Sequence, residues 1–120
     1  VALVAAGLVV HTQLPDGAFT DIAGDALYAA AVYAALVVLF PRASTWTVGA
    51  VAAGWCVAVE LLQLTGLPQV WAAGFPPIML VLGTVFDARD LVVYVVTAVC
   101  VALIDLAVRR VRPRSPRPER

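Results

Sequence analysis

The chain has no lysine, one histidine (His11) and two cysteines (Cys56 and Cys100), and these shortages remove several chemistries together. One imidazole and two thiols cannot supply the ligands of a usual zinc site, so no metal is expected. The 120 residues contain no Gly-rich phosphate loop, no His-Glu-x-x-His and no Gly-x-Ser-x-Gly, which takes away nucleotide, zinc-protease and serine-hydrolase readings. No cofactor is expected, and nothing points to nucleic acid. Charge is also scarce: 13% of the residues are charged against 62% hydrophobic. A soluble domain of this length has no core large enough for so much apolar side chain, so the excess must face lipid. Cys56 and Cys100 fall inside apolar runs, where a small thiol simply packs.

Four apolar segments separated by turn and charge signals are predicted to be helices, at about 1–10, 23–40, 46–65 and 90–108. The first covers only about half of a bilayer core at about 1.5 Å per residue. Because the sequence begins without methionine, this helix is expected to be truncated at its N-terminus. Between the third and fourth spans, residues 67–89 hold Trp71, Gly74 and Pro76-Pro77. Only nine residues, 78–86, then precede Asp87, too few to cross as a helix. An interfacial or re-entrant helix is expected there, the alternative being a fifth crossing over about 70–86 broken by the prolines. The expected fold is therefore all-α: an integral membrane four-helix bundle over 1–108, followed by a disordered basic tail, 109–120, rich in proline and arginine.

Arginine sets the expected orientation. Arg42 and the six arginines at 109, 110, 112, 114, 117 and 120 share one side of a four-span chain, which the positive-inside rule assigns to the cytoplasm of a multi-pass cell-membrane protein. The tail would then meet anionic headgroups. Asp16, Asp21, Asp25, Asp87 and Asp90 gather on the other side.

Glu60 and Gln63 are the best functional lead, because they end an apolar helix that has no other charge. An ionisable side chain within a span costs roughly 2.5–3.5 kcal/mol on insertion scales and marks a bundle interior or a functional site. The plainer explanation is a carboxyl that only fastens helices together. Gly49, Ala53, Cys56, Glu60 and Gln63 form a small-and-polar seam at spacings of 4, 3, 4 and 3, suited to close helix contact. On the fourth helix Asp87, Asp90, Tyr94, Thr97 and Asp105 share one arc at about 100° per residue. Asp25 opens the second helix at the same level, with Tyr28 beside it. Asp25, Tyr28, Glu60, Gln63, Asp90 and Tyr94 are thus expected to make one polar cluster at the extracytoplasmic side. First-turn capping is the competing role for Asp25 and Asp90, and Asp105 with Arg109 reads as an ion pair one helical turn apart.

Gly24-Asp25-Ala-Leu-Tyr28 with Tyr33, then Glu60-Leu-Leu-Gln63, Leu82-Gly83 with Phe86, and Asp90-Leu-Val-Val-Tyr94 together resemble the DUF2809 family of small bacterial membrane proteins. The Glu-x-x-Gln followed by Asp-Leu is also similar to the wider VanZ-like group. The chain departs from the family pattern at Thr97, where a glycine is expected, and in lacking a basic residue ahead of Gly24-Asp25. The resemblance implies a four-helix membrane protein without an assigned reaction. Ala23-Gly24-Asp25 contains the Gly-Asp element of intramembrane aspartyl proteases, but their Tyr-Asp partner is absent. Three functional readings follow: a non-enzymatic accessory or binding protein whose acidic pocket receives a cationic or hydrogen-bonding group of a lipid, cell-envelope precursor or drug; an ion- or proton-coupled transport component, with a homo-oligomer as one way to build its pathway; and a membrane enzyme acting on a lipid headgroup by acid-base chemistry.

Overall fold

The computed structural model describes residues 1–13, 17–83 and 85–112. Within them the chain folds as six helices: α1 (Ala2–Gln13), α2 (Ala18–Leu39), α3 (Thr45–Gln63), α4 (Leu67–Gly74), α5 (Ile78–Leu82) and α6 (Ala88–Val111). There is no strand among the described residues. Three helices, α2, α3 and α6, are long and apolar enough to cross a membrane. With its 12 residues, α1 falls short of the roughly 20 a crossing needs, and it packs along α2.

Local chemistry sets the helix ends. Ser44 caps α3 by accepting the Thr47 amide at 3.2 Å, and Asp87 caps α6 by accepting the Arg89 amide at 2.8 Å; both occupy one of the donors a helix start leaves open. Phe40, ahead of Pro41, leaves helical geometry and ends α2. The second helix begins at Ala18, five residues before its expected start, so Asp21 occupies the first turn and Asp25 lies about two turns in. First-turn capping therefore describes Asp21 and Asp90 but not Asp25. At the C-terminus α6 continues through Arg109 and Arg110 to Val111, because basic side chains suit the exposed carbonyls of a last turn. The expected disorder from 109 is thus corrected for 109–111, and 113–120 lie outside the described residues.

Cross-helix contacts fix the directions. Tyr33 meets Asp105, a Cβ on Gly49 would lie 3.5 Å from that of Ala102, and Glu60 meets Asp87. So α3 runs antiparallel to α6, and α2 runs parallel to α6. Two core clusters stack along this axis: Tyr33, Val48, Ala52 and Ala102 at one end, and Ala29, Cys56 and Tyr94 at the other. Alanines at the contacts let the backbones approach, the usual device where lipid offers no hydrophobic contrast. In its first half α3 buries Val48 and Ala52 most completely, with the expected Gly49 and Ala53 half-buried beside them and Gly49 facing Ala102, because α3 packs on both α2 and α6. Cys56 is buried in the core, Cys100 is exposed, and both are free thiols.

Between α3 and α6 the described residues 64–83 form two short helices, α4 and α5, in place of one. Phe75 takes an extended conformation ahead of Pro76-Pro77 and separates α4 from α5. At 8 and 5 residues, neither reaches a crossing length, so the alternative fifth span is not formed. The segment leaves the end of α3 and returns to the start of α6 at the same end of the bundle, since Glu60 bonds to Asp87.

Candidate functional site

Glu60 is the largest fully buried side chain, at 0% exposure. Its Oε2 accepts the Asp87 amide at 3.2 Å, and Oε1 is buried with no partner. The Tyr94 hydroxyl lies 3.3 Å from Asp25 Oδ1. A phenol has one proton to give, and Asp25 is the carboxyl placed to accept it.

Asp25 and Asp90 are neighbouring carboxyls that line the same cleft. Asp25 Oδ2 and Asp90 Oδ1 are both buried without a donor. Two carboxylates cannot bond as acceptors, so such a pair is hydrogen-bonded only when one proton lies between them. The side chain of Asp90 is 15% exposed, and the nearest cation to it, Arg89, holds Nε at 4.0 Å from Oδ1. Arg89 also reaches Asp21 at 3.6 Å and Asp87 at 3.5 Å, and it sits on the rim, half exposed.

Tyr28 and Gln63 do a different job: they hold the α5 strap. The Tyr28 hydroxyl donates to the Val81 carbonyl at 2.6 Å and accepts the Trp55 indole N–H at 3.0 Å. Gln63 Nε2 donates to the Leu82 carbonyl at 2.6 Å. Gly83 follows with φ 58° and ψ −166°, a conformation open essentially to glycine alone. The Tyr28 and Tyr94 rings lie 6.1 Å apart, tilted by 55°.

Two openings flank this group. A cleft of about 350 Å³ between α1, α2 and the start of α6 is lined by Asp21, Asp25, Asp87, Asp90 and Arg89, with Gly7 and Val10 on its α1 wall. A smaller cavity of about 170 Å³ lies under the strap, lined by Asp25, Tyr28, Gln63 and Tyr94 together with Met79 to Gly83. Asp25 belongs to both.

The structure therefore brings all six residues singled out from the sequence to one end of the bundle. Asp25 and Tyr94 are hydrogen-bonded, Glu60 is tied to the start of α6 through the Asp87 amide, Asp90 shares the larger cleft with Asp25, and Tyr28 and Gln63 line the smaller cavity. Sequence reasoning missed Trp55, the Asp87 amide and the carbonyls of Val81 and Leu82. Backbone groups carry no sequence signal, and only the glycine after the apolar run 78–82 hinted at them.

A second polar group occupies the opposite end. Asp105 accepts from the Tyr33 hydroxyl at 2.7 Å, from the Thr45 hydroxyl at 3.4 Å and from Arg109 Nε at 2.9 Å. The sequence indicated only the Arg109 pair. With three donors on one carboxylate, this end is a closed structural lock, whereas the acidic end retains unpaired acceptors.

A family model described as a protein of unknown function, DUF2809, matches residues 14–98. That is well over half of the chain, and the chain belongs to this family. No curated protein and no solved structure matches it.

Proposed function

We propose that this DUF2809 protein is a multi-pass cell-membrane protein that works as a non-enzymatic accessory or binding protein. Its acidic end receives a cationic or hydrogen-bonding group of a lipid, a cell-envelope precursor or a drug. In this reading α1, α2, α3 and α6 form the four-helix bundle, the strap lies at the external face, and the arginine-bearing tail is cytoplasmic beside anionic headgroups. The distribution of arginine supports that orientation, because Arg42, Arg109, Arg110 and Arg112 lie on the tail side against Arg89 alone at the acidic end.

One observation carries the binding reading: Glu60 is fully buried yet keeps one carboxylate oxygen without a donor. A carboxyl serving only to fasten helices would be expected to have its acceptors filled, as Asp105 has, because an unsatisfied buried acceptor costs about 1–3 kcal/mol. Binding would involve Asp25, Tyr28, Glu60, Gln63, Asp90 and Tyr94. Purification of the full chain from its native membrane, followed by mass analysis of retained small molecules, tests this. Retention of one class by the parent chain and its loss in Asp25→Asn supports binding; identical profiles contradict it.

A second reading, a proton-coupled transport component, draws on the neighbouring carboxyls of Asp25 and Asp90, since a carboxyl pair sharing one proton is a means of loading and releasing it. Proton flux in proteoliposomes that falls in Asp90→Asn would favour it.

A further inference from the structure

We infer that the cavity under the α5 strap takes a primary ammonium group, R–NH3⁺. The inference rests on the acidic end being a ligand site, and it names the chemical class that this site selects.

Gln63 supplies the first step. The residue is 8% exposed and its amide orientation is fixed, because exchanging nitrogen and oxygen would press an oxygen against the Leu82 carbonyl at 2.6 Å. With Nε2 committed to the strap, Oε1 is left as a buried acceptor without a donor, and Gln63 is among the residues that line the 170 Å³ cavity. Across that cavity lies Asp25, whose carboxyl is short of donors in the same way. Tyr28 gives its proton to Val81, and the nearest acceptor for the Tyr94 hydroxyl is a carboxyl. No arginine or histidine is among the lining residues. Among the described residues the walls thus offer a carboxyl and acceptors and no uncommitted side-chain donor.

A ligand for such a space must bring several N–H or O–H donors, preferably with positive charge. An ammonium has three donors and no acceptor, and a carboxyl pair sharing one proton retains the opposite charge. Space for about five waters at roughly 30 Å³ each admits an ammonium and its first two carbons. A quaternary ammonium carries the same charge but no N–H, so it would leave Gln63 Oε1 unpaired. A divalent metal fits poorly, since among the described residues no three His, Cys, Asp or Glu side chains are grouped to hold one.

The test uses the purified full chain in neutral detergent micelles, with unfolding followed by the fluorescence of its three tryptophans. Ethanolammonium chloride and choline chloride are titrated at matched ionic strength against sodium chloride, and phosphatidylethanolamine and phosphatidylcholine are added to the micelles in parallel. A saturable rise in unfolding temperature with the primary ammonium probes, weakened about tenfold or more in Gln63→Met and in Asp25→Asn, supports the proposal. Response to the lipid alone identifies a headgroup as the source, and response to free ethanolammonium a soluble amine. If Gln63→Met does not fold, Asp25→Asn and the comparison of primary with quaternary probes decide. Equal response to choline and phosphatidylcholine, or unchanged binding in the folded variants, overturns the ammonium assignment. Phosphatidylglycerol stabilisation that Glu60→Gln abolishes, without any ammonium response, would also overturn it while leaving the site intact. Silence from every headgroup would remove both.

Discussion

The amide of Asp87 donates to Glu60 Oε2 across 27 positions of chain, tying the cap of α6 to the one carboxylate within α3. Between these residues the chain leaves the bundle as α4, turns at Pro76-Pro77 and returns as α5. The bond closes that excursion at its far end, and Tyr28 and Gln63 hold it in the middle. Glu60 is therefore a fastener buried behind the two openings of the acidic end, and substitution separates its hydrogen bond from its ionisable group.

Replacing Glu60 with glutamine keeps an oxygen that accepts the Asp87 amide, so thermal unfolding should move little. Glu60→Ala leaves that amide without its partner and opens a void, and a loss of about 1–3 kcal/mol is expected for the amide alone. Equal destabilisation by both changes would contradict the assignment of the bond at 3.2 Å.

Gly83→Ala should release the strap. Its backbone conformation costs a residue with a side chain on the order of 1–3 kcal/mol, and an added Cβ would lie 2.6 Å from Gln63 Nε2. Faster hydrogen exchange at residues 78–83, with the amides of α6 unchanged, is the expected result. Unaltered exchange would mean that Gln63 does not hold the strap.

At the opposite end, Tyr33→Phe removes a 2.7 Å bond to Asp105. Because the acceptor is a carboxylate, a loss of about 1.5–3 kcal/mol is expected. Ligand response at the acidic end should remain, since Tyr33 packs with Val48, Ala52 and Ala102 and not with the Tyr94 cluster.

A reporter fused after Arg120 should behave as cytoplasmic, and one inserted between α4 and α5 as external. The arginine bias is the physical cause. The reverse pattern would turn the whole arrangement over and place the acidic end inside.

Much of this was legible in the sequence, and the remainder was hidden for physical reasons. The apolar runs around Val32, Val57 and Val99 fall within α2, α3 and α6 because only helices satisfy their own backbone in an apolar run of that length. Glu60, Gln63, Asp90 and Tyr94 share an end because helical periodicity puts them on inward faces at matching depth. The start of α2 was misjudged because Thr20 and Asp21 look like loop residues, although an acid is favoured in a first turn. A short helix was expected between the third and fourth spans, but how it is fastened was not legible because Val81 and Leu82 act through carbonyls. Tyr33 and Thr45 lie 72 and 60 positions from Asp105, so no local pattern joins them.

The most direct test of the central claim is ligand retention by Glu60→Gln at normal membrane abundance and unchanged unfolding temperature. The substitution preserves shape and the Asp87 bond but removes the ability to ionise and puts an amide in place of the unpaired carboxyl oxygen. Loss of the molecule that co-purifies with the parent chain is the predicted result. An unchanged complement of bound molecules in Glu60→Gln, beside a poorly folded Glu60→Ala, would make Glu60 a fastener alone and contradict a binding site at the acidic end.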